Sequence, residues 1–155
     1  METYVGYYHS PIGLVEIMTT DDAVLSATFV EQEADRQDTV EILERAIQQF
    51  DEYFKGVRKD FDLPCHVEGT EFQKNAWNAL RKIPYGETKS YKQQAILIGN
   101  EKATRAIGNA NSKNKISIVI PCHRVVGSNK SLTGYAGGID RKKWLLAHEQ
   151  GVLAK

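Results

Sequence analysis

A cysteine and a histidine stand side by side at Cys122-His123, delivered by the apolar run Ile118-Val119-Ile120 and Pro121. A thiolate is a soft, strong nucleophile toward carbon, and a neighbouring imidazole can take the thiol proton. If both residues were fully extended, their side chains would point to opposite faces, so a bridging water is the route from sulfur to ring. The tripeptide Pro-Cys-His also occurs at Pro64-Cys65-His66, so the tripeptide alone decides nothing. Together the two copies supply two sulfurs and two imidazoles, which is a possible zinc donor set. Adjacent Cys-His pairs reach one ion poorly compared with Cys-x-x-Cys spacing, and no metal is expected. Two cysteines make no disulfide framework, which suits a reducing, cytoplasmic setting and a working thiol.

The elements around this pair can be read from periodicity. Residues 4–30 alternate loosely and are rich in Tyr, Val, Ile and Thr, with turn residues at Ser10-Pro11-Ile12-Gly13 and Asp21-Asp22. They predict two or three antiparallel strands. Leu43, Ala46, Ile47, Phe50 and Phe54 fall on one helical face over 39–55, and Gly56 stops the run. Residues 57–69 read as a linker. Beyond it Thr70 and Gln73 form a capping box for a helix that must end before Pro84, and Ser90 with Gln93 forms another, closing at Gly99. Asn100 is placed to cap a third helix with Ala103, Ala106, Ile107 and Ala110 packed inward. Two short helices joined at Gly99-Asn100 match a helix-turn-helix. Ile116–Ile120 reads as a buried strand carrying the thiol at its end, and Asp140 as the cap of a last helix ending near Glu149.

The chain has 155 residues, 41% apolar and 26% charged, ordinary for a soluble globular protein. It offers no apolar run near the roughly 20 residues of a membrane span, and its N-terminus lacks a secretory pattern. Its zero net charge hides a split. Residues 1–65 hold 14 acids and 5 bases, net −9, whereas residues 66–155 hold 6 acids and 15 bases, net +9. Lys89, Lys92, Lys102, Arg105, Lys113, Lys115, Arg124 and Lys130 crowd residues 87–130 against Glu87 and Glu101 alone. Such a surplus suits a polyanion; the alternative is two halves that neutralise each other.

From Phe72 to Glu149 the chain resembles the catalytic domain of the O6-alkylguanine-DNA alkyltransferases. The resemblance rests on Phe72-Gln73 with Trp77, Ile83-Pro84-Tyr85-Gly86-Glu87-Thr88, Ser90-Tyr91 and Ala103-Thr104-Arg105-Ala106-Ile107-Gly108. It continues through Ile120-Pro121-Cys122-His123-Arg124-Val125, Gly134-Tyr135-Ala136-Gly137-Gly138 and Leu145-Leu146-Ala147-His148-Glu149. It implies an α+β fold: a small ribonuclease H-like N-terminal domain of strand hairpins plus helix, residues 1–66, then a mostly helical, winged-helix-like domain, residues 67–155.

The resemblance also implies roles. Cys122 accepts the alkyl group, His123 is its base through water, and Glu149 orients His123, a triad logic with water inserted. Asn114 holds the turn between the DNA-reading helix and the active-site segment, although the family's following proline is Lys115 here. Tyr91 contacts the flipped guanine and gives it a proton. Arg105 fills the space left by the extruded base; Ser90, Asn100, Lys102, Gly108 and Ser128 contact DNA; Tyr135 and Val125 wall the guanine pocket. Extrusion is a physical requirement, because a buried thiol cannot reach a stacked base.

The implied activity is DNA repair by a suicide transferase: one O6-alkylguanine in double-stranded DNA, one irreversible transfer, no cofactor, a monomer. Preference among alkyl groups, and activity on O4-alkylthymine, depend on pocket volume. The rival is an alkyltransferase-like protein that binds lesions without chemistry; such proteins carry tryptophan where Cys122 stands. A thiol hydrolase is disfavoured by the basic surface, and Cys65 lacks downstream partners.

Overall fold

The computed structural model describes residues 2–127, 132, 135 and 137–151. The chain divides into two compact units, Met1–Val67 with Lys115–Ser117, and Glu68–Asn114 with Ile118–Lys155. In the first, β1 (Tyr4–Ser10), β2 (Gly13–Thr19) and β3 (Val24–Val30) form an antiparallel meander in that order. Ser10 pairs with Gly13 across the two-residue turn, where Gly13 takes φ +134° and the Ser10 hydroxyl donates to its carbonyl at 2.6 Å.

Alternation along the strands buries Val15 and Ile17 in this unit's core. Helix α1 (Glu41–Phe54) adds Leu43, Ala46, Phe50 and Tyr53, all fully buried, each large side chain stabilising by about 1.5–3 kcal/mol. Gly6 packs tightly against α1: a Cβ there would lie 3.1 Å from Leu43 and Ile47, so those side chains would have to give by a few tenths of an ångström. Residues 57–69 are not a loose linker. Backbone hydrogen bonds Val24 N to Pro64 O (2.8 Å) and His66 N to Val24 O (2.9 Å) stitch them to β3, and Leu63 is buried.

The second unit is mostly helical, so the α+β reading holds. Both expected capping boxes are present, Thr70–Gln73 ahead of α2 (Glu71–Leu80) and Ser90–Gln93 ahead of α3 (Tyr91–Leu97). Gly99 reverses the chain at φ +78° and α4 follows (Thr104–Ser112). The short strands β4 (Lys89–Ser90) and β5 (Val125–Val126) pair in parallel, and α5 (Ile139–Gln150) closes the unit.

Four local expectations are corrected. Asn100 does not cap α4; its carbonyl accepts from Ala103 N in the preceding turn, and the Ncap is Ala103 without a side-chain bond. Ala106 is exposed, because the 3.6-residue period through Ile107, Ala110 and Asn111 turns it outward. Asp140 lies in the first turn of α5, behind Gly138 as Ncap. Residues 116–120 are buried but not a strand: Ile116 bridges Ala27, and Ile118 then takes φ +73°, a left-handed conformation costing a β-branched residue about 1–2 kcal/mol.

Candidate active site

The kink at Ile118 changes how the thiol is presented. Cys122 opens a 3-10 turn, Cys122–Arg124, instead of ending a strand. Its amide donates to Ile120 O at 2.9 Å, and Arg124 N to Pro121 O at 3.0 Å. In such a turn successive side chains fan out around the axis, so Cys122 reaches Asn114 while His123 and Arg124 reach Glu149.

Asn114, two residues beyond the end of α4, donates from Nδ2 to Ile120 O (2.8 Å) and to Cys122 Sγ (3.3 Å). His123 is completely buried, and its Nε2 lies 2.7 Å from Glu149 Oε2. Arg124 grips the same carboxylate from Nε (2.8 Å to Oε1) and Nη2 (3.0 Å to Oε2), while its Nη1 donates to Ile83 O at 2.7 Å. The Tyr85 ring lies 5.7 Å from the Arg124 guanidinium carbon. Gly86 donates weakly to Glu149 Oε1 at 3.4 Å, and a Cβ on it would stand 3.3 Å from the Glu149 carbonyl. The Ile83-Pro84-Tyr85-Gly86 segment is thus the buttress of the Glu149–Arg124 pair, with Gly86 also needing its φ of +84°.

These contacts fix protonation. Burial would raise the Glu149 carboxyl, but His123 and Arg124 outweigh it and hold the group well below the ordinary carboxylate range. An ionised carboxylate only accepts, so His123 Nε2 carries the hydrogen. Burial, aided by the Arg124 and Lys142 charges, outweighs Glu149 and pushes the imidazole below its ordinary value. The ring is therefore neutral, and its lone pair sits on Nδ1. That atom is buried and makes no hydrogen bond among the described residues. It can accept a proton.

Burial also pushes the Cys122 thiol up, against the lowering effects of Asn114 and Lys142. The resting sulfur is a thiol and requires a base. Lys142 is itself only 1% exposed, and burial brings its ammonium down to about 8 while Cys122 opposes. Its Nζ lies 5.9 Å from the centroid of Tyr91, the first residue of α3. Tyr135 is buried with its ring 6.4 Å from that of His123, nearly edge-on at 79°, and Val125 is fully buried.

The structure thus brings together two hydrogen-bonded pairs, Asn114 with Cys122 and His123 with Glu149, adjacent through the Cys122-His123 peptide, with the Tyr135 ring beside His123 and the Tyr91 ring near Lys142. Arg105, Lys102 and Asn100 are exposed on α4 and the turn before it. Gly108 has open space where a side chain would go. The Ser90 hydroxyl accepts from Gln93 N as the cap of α3. Ser128, Asn129 and Lys130 lie outside the described residues. Arg124 corrects the charge reading: counted among the surface cations, it is 6% exposed and committed to Glu149. Lys142 was missed, although 142, 145, 146 and 149 lie on one helical face, the buried side of α5.

Among the described residues no three His, Cys, Asp or Glu side chains cluster to hold a metal, and no helix is long and apolar enough to cross a membrane.

Two family descriptions match. The ribonuclease-like domain of 6-O-methylguanine DNA methyltransferase covers residues 3–67, and its DNA binding domain residues 71–151. A methylated-DNA–protein-cysteine methyltransferase of Methanosarcina acetivorans is 43% identical over 152 residues, 94% of this chain and 97% of its own. The constitutive one of Bacillus subtilis is 43% identical over 146 residues, 86% and 88%. The crystal structure of Mycobacterium tuberculosis O6-methylguanine methyltransferase superposes with TM-score 0.88 at 37% identity, covering 99% of this chain and 96% of that one. A structure of the same organism's OGT in complex with DNA superposes at 0.86 with 39% identity, covering 94% and 92%.

Proposed function

The chain belongs to the 6-O-methylguanine DNA methyltransferase family, and on that premise we propose that it extrudes O6-alkylguanine from duplex DNA and transfers the alkyl group irreversibly to Cys122. It is a methylated-DNA–protein-cysteine methyltransferase, a DNA repair enzyme. The observation that carries the finer reading is the bonded set around the thiol: Asn114 on Sγ, and a neutral His123 held by an ionised Glu149.

In this reading Cys122 gives its proton through a water to His123 Nδ1. The thiolate attacks the alkyl carbon in line. The S–C bond forms as the C–O6 bond breaks, and the electron pair leaves with guanine, which takes a proton from the Tyr91 hydroxyl. Solvent then takes the imidazolium proton and restores that of the tyrosine. Lys142 faces both charges that develop, thiolate and tyrosinate. A thioether is a poor leaving group, so each molecule reacts once.

Residues 67–155 bind the DNA and carry the acceptor, while residues 1–66 support the fold. Arg105, exposed on α4, fills the place of the extruded base, and Asn100, Lys102, Gly108, Ser90 and Ser128 contact the strand around it. Tyr135 and Val125 wall the guanine pocket. Salt weakens binding through the phosphate contacts, and Lys102→Ala is expected to reduce the salt slope by about 1. The protein acts as a monomer.

Intact-protein mass spectrometry after incubation with a duplex containing O6-methylguanine tests this. The expected result is a gain of one CH2, mapped to the Cys122 peptide and absent in Cys122→Ala. Unchanged mass with intact DNA binding would overturn transfer in favour of lesion recognition alone.

A further inference from the structure

The cluster shared by α2, α3 and α4 is built mostly of small residues, beside the buried Trp77 of α2, whose Nε1 donates to Ala110 O at 2.8 Å. Its fully buried apolar residues are Ala76, Ala95, Ile107 and Ala110, with Phe72, Tyr91 and Ile98 at its edge. Alanines let helices approach closely but give little interlocking shape, so apolar packing alone defines the sliding register of α4 poorly.

Into this core two neutral amides are buried face to face. Gln94 Nε2 donates to Asn111 Oδ1 at 2.9 Å, and Asn111 Nδ2 donates back to Gln94 Oε1 at 2.8 Å. Gln94 Nε2 also donates to Ala76 O at 3.1 Å, so one side chain of α3 ties α4 and α2. Gln94 is 0% and Asn111 4% exposed. A reciprocal pair of this kind has one geometry: moving α4 by a single turn, about 5.4 Å, would leave several buried polar atoms unsatisfied.

Position along α4 then carries the consequence. Asn111 is three residues before Asn114, which bonds the Cys122 sulfur, and six after Arg105, which is exposed at the other end of the helix. Register at Asn111 therefore sets both ends together. We propose that Gln94 and Asn111 are a positioning pair that fixes the register of α4 on α3, so that Arg105 meets the DNA strand while Asn114 meets the thiol. This rests on the DNA-dependent transfer proposed above. Buried polar pairs that specify register characteristically add little stability over apolar replacements, which separates the role from plain core support.

The test is the apolar pair Gln94→Met/Asn111→Leu, which follows the native side chains in length and branching without their hydrogen-bonding groups. It is expected to melt within a few degrees of the native protein or above it. Methyl transfer from an O6-methylguanine duplex is expected to slow by on the order of ten- to a hundredfold, as misplacement of reacting groups by about 1 Å does. A second readout is the pH dependence of Cys122 alkylation by iodoacetamide without DNA, whose midpoint is expected to move up as Asn114 loses its hold on the sulfur. A folded apolar pair with native transfer rate and an unmoved midpoint would overturn the proposal. If that variant does not fold, the exchanged pair Gln94→Asn/Asn111→Gln carries the test, because it keeps both amides. Its transfer is expected within a few-fold of native with an unmoved midpoint, and a folded exchanged pair whose transfer falls tenfold or more would overturn the role. Failure of native protein to take up methyl from the duplex would instead sink the functional reading, leaving the iodoacetamide midpoint to report on the pair.

Discussion

The two units bury different kinds of residue. In Met1–Val67 the largest fully buried side chains are Tyr53, Phe50, Leu43 and Ile17, and aromatic rings pack around them, Phe50 tilted against Phe61 at 5.1 Å and Tyr8 stacked on Phe54 at 5.7 Å. Its ion pairs, such as Arg58–Glu52 at 2.8 Å, stay partly in solvent. In Glu68–Asn114 with Ile118–Lys155 the buried residues include Gln94, Asn111, Asn114, His123, Arg124, Lys142 and Glu149. Apolar burial supplies stability without direction, whereas a buried polar group is stable only in one arrangement. The buried polar side chains of Met1–Val67, Thr19, Thr20 and Gln49, are all uncharged, whereas the second unit's include the ionisable His123, Arg124, Lys142 and Glu149.

That contrast can be broken most completely at the sulfur. Cys122→Ala is expected to abolish methyl uptake from an O6-methylguanine duplex while melting near the native temperature, and Cys65→Ala to leave uptake unchanged; a labelled-methyl assay reads both.

Next comes the carboxylate. Glu149→Gln leaves the buried Arg124 without its counter-charge and is expected to lose about 3–5 kcal/mol in urea unfolding. Glu52→Gln in the first unit removes a part-exposed ion pair and is expected to lose less than about 1 kcal/mol. The same carboxyl makes the second unit acid-sensitive. Its folded pKa lies below the ordinary 4.5, so the unfolded chain binds the proton first. The stabilisation is whole above pH 4.5 and is lost as pH falls toward the folded value, a slope that Glu149→Gln is expected to remove.

Lys142→Met sharpens the comparison in the opposite sense. Burial already disfavours this ammonium, so the variant is expected to be as stable as native or more so, by about 1 kcal/mol. Transfer is expected to slow by about tenfold, because the cation near Cys122 is gone. Rates across pH read His123 as well. With an imidazole held below its ordinary 6.5, transfer is expected to stay level down through pH 6.5 and fall only in stronger acid as Nδ1 takes a proton.

The smallest effect compares two glycines. Gly56→Ala, at φ +78° with open space around it, is expected to cost about 1 kcal/mol. Gly86→Ala, at φ +84° and 3.3 Å from the Glu149 carbonyl, is expected to cost about 1 kcal/mol more and to slow transfer detectably, since the added methyl presses on the end of α5.

The strands, α1 and both capping boxes were legible because each depends on residues close in sequence. Alternation, a 3.6-residue stripe and a hydroxyl three residues before an amide are local signals. That Asn114 and Glu149 belong with Cys122 and His123 was legible only through the family resemblance, since neither spacing nor periodicity joins them, and the structure pairs Asn114 with Cys122 and His123 with Glu149. Arg124 and Lys142 were hidden by their type: a cation in a basic stretch reads as solvated until the fold shows which way it turns. Ile116–Ile120 reads as a strand because Ile and Val favour extended backbone, yet tertiary packing imposes φ +73° on Ile118.

The sequence by itself determined which residues can do chemistry and which local elements carry them, since both follow from side-chain identity and short-range sterics. Only the tertiary structure decided that a 3-10 turn presents the thiol, that Glu149 is shared between His123 and Arg124, and that Gln94 meets Asn111. Those pairings join residues 17 to 26 positions apart, and no local periodicity encodes a contact whose partners meet only when helices pack.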